Sequence, residues 1–339
     1  MTQSPRASHD IHRATDGRIG VVVIGRNEGE RLRRCLTSLG DLAGFTVYVD
    51  SGSSDGSRAV AQSLGVHVLE LDMQIPFTAA RARNQGMAEL VARYPRLEYV
   101  FFVDGDCEVV DGWPSKARDF LDRRPDVAVV FGRRREQHPE SSIYNLLCDI
   151  EWDTPIGEAS ACGGDALMRV SAVRQVEGYR ADLICGEEPE LCLRLRRAGW
   201  RIWRLDEEMT RHDAALYRFK QWWKRMLRGG YGFALGAALH GAAPERHWVR
   251  ESRRAWFWGL FIPIALAGLS AAMGPIALLL LLLYPLQIMR LAIRGRRSAR
   301  ENWWHASALV VSKFPEVLGQ MKFIVDQHRK VPARLIEYK

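Results

Sequence analysis

The sequence predicts an α/β protein: a Rossmann-like domain on a parallel sheet, followed by a carboxyl-terminal helical hairpin long enough for a membrane and an amphipathic tail. Three observations carry this expectation. Apolar, β-branched runs alternate with helical patterns in the amino-terminal third, one such run leads straight into Asp104-Gly105-Asp106, and two later stretches are almost free of charge. Strands alternating with helices at this spacing argue for a doubly wound sheet rather than a sandwich. Ligands of such sheets bind beyond the carboxyl ends of the strands.

Residues 19–24 form the first expected strand, residues 25–28 its loop, and Leu32, Cys35, Leu36 and Leu39 the apolar stripe of the next helix. Residues 45–49 repeat the strand signal and end in the aspartate, serine and glycine run of residues 50–56. A helix from Ser57, a strand over 66–71, a helix over 78–92 and a strand over 99–103 follow. Beyond a strand over 127–132 the pattern loosens, with Gly163-Gly164-Asp165 as a backbone break. A helix over 189–198 and a strand over 200–205 then lead to the aromatic, basic and glycine-spaced residues 217–239. No internal repeat is visible.

Residues 256–272 carry no charge and residues 275–293 only Arg290, and Gly274-Pro275 between them reads as the turn of a hairpin. Each stretch is about the length that crosses a bilayer. Arg246, Arg250, Arg253 and Arg254 precede the pair, and Arg290, Arg294, Arg296, Arg297 and Arg300 follow it. Positive flanks stay on the cytoplasmic side, so two crossings leave both the large amino-terminal part and the tail in the cytosol. Trp256, Trp258, Trp303 and Trp304 suit the interface. Leu309, Phe314, Val317, Leu318 and Phe323 interleave with polar residues, which fits either an interfacial amphipathic helix or a packed third helix.

The net charge of +8 is concentrated in these flanks and suits anionic lipids. No nucleic-acid motif accompanies it, and no nucleic-acid partner is expected. The six cysteines include no Cys-x-x-Cys pair, so neither a zinc site nor a redox dithiol is suggested. Residues 1–17 lack the apolar core of a signal peptide and are expected to form a loose tail.

Asp104 and Asp106, separated by glycine at a strand end, make an oxygen-rich cup suited to a divalent cation that itself holds a diphosphate. An Asp-Gly turn needs no ligand to explain it, and the same holds for Glu187-Glu188-Pro189-Glu190, where acids and proline suit the first turn of a helix. Glu28 and Asp50 end the first two strands, where carboxylates can accept hydrogen bonds from a nucleoside or simply cap turns.

In order and spacing, the residues from Val22 to Glu28, the run from Asp50, Arg81-x-Arg83-Asn84, Asp104-Gly105-Asp106 and Gly186-Glu187-Glu188 resemble the family 2 glycosyltransferases over roughly residues 19–235. The resemblance implies a GT-A fold, with a nucleotide-binding half over 18–111 and an acceptor and catalytic half over 112–240. A basic linker over 241–254, two transmembrane helices over 255–293 and a basic tail over 294–339 complete the expected organisation. It also implies inverting transfer from a nucleotide-diphosphate sugar with bound Mg²⁺ or Mn²⁺. Asp106 is the expected metal ligand, Asp104 reaches the ribose or the metal, and His212 adds a metal or phosphate contact. Arg83, Glu28, Asp50 and the loop of Gly163, Gly164 and Asp165 are expected against the donor. The family's base position falls on Glu188, one methylene longer than the usual aspartate, and Glu187 remains a candidate. Gln221-Trp222-Trp223-Lys224-Arg225 departs from the Gln-x-x-Arg-Trp order of processive synthases, which argues against processivity and leaves Lys224 and Arg225 as diphosphate contacts.

The expected protein is a membrane-anchored enzyme of bacterial type, acting in the cytoplasmic membrane on a lipid-linked or glycolipid acceptor of envelope or exopolysaccharide synthesis. Two alternatives stand beside it. A nucleotidyltransferase would release pyrophosphate and prefer a basic glycine-rich loop where Gly25-Arg26-Asn27-Glu28-Gly29-Glu30 is acidic. A non-catalytic membrane module would bind sugar nucleotides without turnover.

Overall fold

The computed structural model describes residues 17–331 and 335–337; the expected amino-terminal tail lies, apart from Gly17, outside the described residues. The chain divides into two compact units. Of the described residues, one comprises 17–137, 152–183 and 187–214, the other 138–151, 184–186, 215–331 and 335–337.

In the first unit, β1 (Ile19–Gly25), α1 (Glu30–Ser38), β2 (Thr46–Asp50), α2 (Ser57–Ser63), β3 (His67–Glu70), α3 (Ala79–Arg93) and β4 (Tyr99–Asp104) follow the alternation read from the sequence. β1 pairs in parallel with both β2 and β4, and β2 in parallel with β3. A strand covered on both faces has to be apolar along its length, and residues 19–24 and 99–103 are buried throughout. Parallel register brings Gly25 beside Asp50 and Ile24 beside Asp104, so the three strands end on one rim.

Beyond β4 come β5 (Cys107–Val109), α4 (Trp113–Arg123) and β6 (Val127–Glu136). Leaving aside α5, a helix over Ile143–Trp152 that lies mostly in the other unit, the first unit adds β7 (Gly157–Ala159), β8 (Ala166–Arg169) and α6 (Val170–Gln175). It closes with α7 (Glu187–Arg197) and β9 (Arg201–His212). Among the described residues the strand order is β3-β2-β1-β4-β8-β6-β9-β5, with β7 also on β9. β8 runs antiparallel to β4 and to β6, which mixes the sheet after its parallel half.

Two strands run longer than the sequence suggests. β6 continues through Arg133, Arg134 and Arg135, and β9 reaches His212, because the two pair along their length across register shifts. Sequence patterning stops each strand where charge begins. The charges are absorbed by pairing: Arg133 and Arg204 both face Asp153, and Arg135 meets Glu208.

The second unit is helical. It holds most of α5, then α8 (Phe219–His240), α9 (Val249–Trp256), α10 (Ile262–Met273), α11 (Leu283–Ile293), α12 (Ala299–Val311) and α13 (Lys313–His328). α13 packs on α8 so closely that a Cβ on Gly230 or Gly319 would overlap the facing backbone, and Phe323 meets Tyr231 edge-on at 5.4 Å. The tail helix is therefore a packed one. α9 continues through a π segment over Phe257–Phe261 into α10, as one helix from Val249 to Met273. Pro263, two residues past the end of the π segment, has no N–H for the helical ladder, a known cause of such irregular turns.

The expectation of two crossing helices is met in part among the described residues. Val249–Met273 is long and apolar enough to cross a membrane, whereas the second stretch is a 3₁₀ segment over Pro275–Leu282 followed by the short α11. Pro275 opens this stretch, and the leucine run after it has no polar side chain to set a helical face. The expected linker over 241–254 is likewise partly helical, since Arg250, Arg253 and Arg254 lie on α9 itself.

Candidate active site

The site is assembled at the rim where β1, β2 and β4 end, from residues of the first unit. β4 delivers Asp104, the chain turns through Gly105, and Asp106 precedes β5. Antiparallel pairing sets Cys107 opposite His212, which brings the last residue of β9 to the turn. His212 Nε2 lies 3.2 Å from Asp106 Oδ1, and its ring meets Trp152 edge-on at 4.8 Å. One donor atom each from Asp104, Asp106, Cys107 and His212 fall within 4.8 Å of one another. His212 Nδ1 is buried and has no hydrogen-bond partner among the described residues. Two carboxylates and an imidazole so close together, from Asp104, Asp106 and His212, are a donor set that could hold a divalent cation.

Asp165, expected against the donor, is instead completely buried behind the strand end. Its Oδ1 accepts the backbone N–H of Asp104 at 3.0 Å, and Oδ2 accepts the Thr210 hydroxyl at 2.7 Å and pairs with Arg134 Nη2 at 2.9 Å. With no exposed surface and both oxygens engaged inside the protein, Asp165 holds the Asp104 backbone in place. Arg134, which sequence reasoning missed, also approaches Asp104 Oδ2 at 3.5 Å and lies over the Trp152 ring. Its signal is strand alternation: Arg134 faces opposite to Arg133 and Arg135 once β6 is extended past Gly132.

Arg81 and Arg83, two residues apart on α3, go to different tasks. Arg81 donates to the carbonyls of Asp72, Ile75 and Pro76 and ties down that loop. Arg83 is 2% exposed and joins both sides of the site. Its Nη2 binds Asp104 Oδ1 at 2.9 Å, while Nη1 lies 3.0 Å from Glu187 Oε1 and 3.1 Å from Glu188 Oε1. Burial works against its charge, but Glu188, Asp104 and Glu187 more than compensate and hold the guanidinium protonated.

The carboxylates respond unequally. Burial penalises ionised Asp104, yet Arg83 and Arg134 keep it below the usual carboxylate range. Glu188 is pushed up to about 7, first by burial and then by Glu187, with Arg83 opposing. Its side chain is 15% exposed against 5% for Glu187. Glu188 thus combines access with the affinity for a proton that a general base needs near neutral pH.

Gly164 stands beside this cluster. A Cβ there would come within 2.6 Å of Asp104 Oδ2 and 3.0 Å of Arg83 Nη2, so only glycine lets the backbone pass, whereas a Cβ on Gly163 would make an ordinary contact with Arg134 Nη2 at 4.0 Å. At the β1 and β2 ends, Glu28 pairs with Arg31 at 2.8 Å. Asp50 accepts the N–H groups of Gly52 and Ser53 and the Tyr48 hydroxyl, which shapes the turn over 50–53. Lys224 and Arg225 belong to the second unit; there Arg225 grips Glu151 with both terminal nitrogens and Lys224 reaches the Glu337 carbonyl. Cys162 and Cys192, thirty positions apart, meet at 3.6 Å between sulfurs, a thiol pair that spacing alone does not reveal.

A Rossmann-like sheet whose strand-end carboxylates converge with a histidine from the end of β9 and a helix-borne glutamate pair defines the class: a nucleotide-dependent transferase fold. Residues 20–175 match the family model described as Glycosyl transferase family 2, so this stretch of the chain is a domain of the family 2 glycosyltransferase type. The succinoglycan biosynthesis protein ExoA of Rhizobium meliloti (strain 1021) is 30% identical over 187 residues, 52% of this chain and 56% of that protein. The pre-mycofactocin glycosyltransferase of Mycobacterium tuberculosis is 29% identical over 212 residues, 58% of this chain and 42% of that protein. The chain thus spans about half the length of the curated relatives it matches. The solved mannosyltransferase PcManGT from Pyrobaculum calidifontis, in complex with GDP-Man and Mn²⁺, superimposes with a TM-score of 0.62 at 18% identity. It covers 91% of this chain and 88% of that one, a shared GT-A fold.

Proposed function

We propose that this protein is an inverting, metal-assisted glycosyltransferase that moves a sugar from a nucleotide-diphosphate donor to a hydroxyl or phosphate of a membrane-associated acceptor. The observation that carries the reading is Glu188, held near neutral pH by burial and Glu187 within a cluster that Arg83 ties to Asp104. Glu188 takes the proton of the acceptor hydroxyl as that oxygen attacks the anomeric carbon. A single displacement needs one base and no second nucleophile. Arg83 holds Glu188 and Asp104 at fixed separation, and Gly164 gives the donor sugar a close backbone approach. A divalent cation, Mg²⁺ or Mn²⁺, held by Asp106 and His212 with Asp104 would supply Lewis-acid neutralisation of the leaving diphosphate.

A lipid-linked or glycolipid acceptor in the cytoplasmic membrane is supported by the second unit. Val249–Met273 suits a bilayer, and Leu278 to Leu283 expose 38–63% of their surface, a large apolar area for which water is a poor neighbour. Arg253 stands at the end of a shallow apolar groove lined by Trp256, Phe257, Leu260, Phe261 and Ile264. Basic side chains beside such surface favour anionic head groups.

The test is a panel of sugar nucleotides presented to detergent-purified protein with Mg²⁺ or Mn²⁺, with and without membrane lipids, scored for nucleoside diphosphate and for the anomeric configuration of the product. Release from one donor, stimulated by lipid and giving the inverted anomer, is the expected result. Pyrophosphate from a nucleoside triphosphate, or donor binding without turnover, would replace this reading.

A further inference from the structure

Arg83 reaches Asp104 with one terminal nitrogen and the two glutamates with the other, while its Nε is buried and has no hydrogen-bond partner among the described residues. The guanidinium also lies over the ring of Tyr179, with Cζ 5.6 Å from the ring centroid. Tyr179 is 2% exposed and meets Phe102 of β4 edge-on at 5.3 Å, and its hydroxyl donates to Met168 Sδ of β8 at 3.9 Å. An aromatic face attracts a guanidinium, most strongly where water is excluded.

Tyr179 lies in the loop after α6, where no helix or strand fixes its backbone. Asn84, the next residue of α3, does so. Its Nδ2 donates to the Tyr179 carbonyl at 2.7 Å, and its Oδ1 accepts the Tyr179 N–H at 2.8 Å. Gly178 makes room for this grip: its φ is +71°, and a Cβ there would come 2.7 Å from Asn84 Oδ1. Arg194 of α7 holds the same loop by the carbonyls of Val176 and Gly178. Consecutive residues of α3 thus have linked tasks, since Arg83 joins the carboxylates and Asn84 holds the loop whose ring lies against Arg83. All of these residues belong to the α/β unit.

We propose that Tyr179, gripped by Asn84, is a positioning residue for Arg83: its ring keeps the guanidinium where it bridges Asp104 and the glutamate pair. This inference rests on the reading of Glu188 as the base. Tyr179 acts through Arg83, so loss of the ring frees the guanidinium to drift from Glu188. Glu187 then stands beside Glu188 as a like charge with less to oppose it, and Glu188 keeps its proton to higher pH. Besides Arg83 and Glu187, the groups that face Glu188 are Asp104, Cys162 and Tyr179. The Cys162 thiol is raised by its contact with Cys192 and by burial, and the Tyr179 phenol by burial, so both stay uncharged. Removing the phenol therefore removes no charge.

The test compares full-length Tyr179→Leu, Tyr179→Phe and Asn84→Ala with the parent protein in detergent. Tyr179→Leu keeps the place apolar but removes the ring; it should lower kcat about tenfold and move the midpoint of the pH–rate profile up by about half a unit or more. Tyr179→Phe keeps the ring and should restore both, and Asn84→Ala, with the loop still held by Arg194, should fall between. Phenylglyoxal labelling read by mass spectrometry should rise several-fold at Arg83 in Tyr179→Leu and stay unchanged at Arg81 on the same helix. An unmoved midpoint would overturn the proposal, as would labelling that stays low at Arg83 or rises equally at Arg81. Should Tyr179→Leu not fold, Asn84→Ala carries the same comparison. A parent protein that turns over no donor would defeat the proposed function, while the labelling pattern would still decide whether Tyr179 positions Arg83.

Discussion

Asp104, at the end of a strand, and Glu188, in the first turn of a helix, are carboxylates on the same guanidinium, yet they are driven apart in proton affinity. Asp104 touches two arginines, Arg83 and Arg134, and stays ionised despite burial. Glu188 shares Arg83 with Glu187, so a like charge stands where Asp104 has a second cation. What separates them is the second neighbour. One site is thereby suited to holding a cation and the other to accepting a proton, and two such carboxylates in one cleft are the usual mark of divided acid–base labour.

The comparison breaks first at Glu188. Glu188→Gln removes the proton acceptor and should cut turnover about 10³-fold while sugar-nucleotide binding, followed by calorimetry, changes little. Asp106→Asn attacks the other side. It should lower turnover about 10²-fold, in line with the several kcal/mol that a cation contributes at a leaving group, and raise the Mn²⁺ concentration needed for half-maximal rate. Gly164→Ala should cost about tenfold in kcat/KM, an effect of displacing Asp104 and Arg83 by part of an ångström, with little change in the unfolding temperature. Arg83→Gln sharpens the comparison: Arg83 is the group that opposes the rise at Glu188, so the midpoint of the pH–rate profile should move above 7.

The smallest effect is on stability. The folded Glu188 binds its proton more tightly than the unfolded chain does, so this residue costs nothing below the unfolded pKa and destabilises increasingly as pH rises toward about 7. Glu188→Gln should therefore melt a few degrees above the parent at pH 8, with the gap closing near pH 4. Every tenfold difference in proton affinity between the folded and unfolded chain is worth about 1.4 kcal/mol. Calorimetric scans at the two pH values check it.

Much of the site was readable because strand ends carry their own markers. An apolar run that stops at a carboxylate places Asp50 and Asp104 on one rim without any contact being known, and order along the chain supplied Glu187 and Glu188. Residues whose role depends on a distant partner were not readable in this way. Arg134 lies in a strand that charge patterning cuts short, and it is kept buried by Asp165; Asp165 itself looks like a ligand contact until Thr210 and the Asp104 backbone are seen to occupy it. Cys162 and Cys192 meet only because α7 passes the loop before Gly163. In the helical unit, hydropathy marks two stretches of similar composition, but Pro275 and the unpatterned leucines after it give 3₁₀ turns where Val249–Met273 gives a continuous helix.

The pH dependence of nucleoside diphosphate release under saturating cation tests the central claim most directly. The account predicts that kcat/KM for the acceptor climbs with unit slope below about pH 7 and levels above it, and that Glu188→Gln is slow and flat across the range. A rate independent of pH from 5.5 to 8.5 (roughly 1.5 pH units to either side of that midpoint), or an unchanged profile in Glu188→Gln, would contradict it.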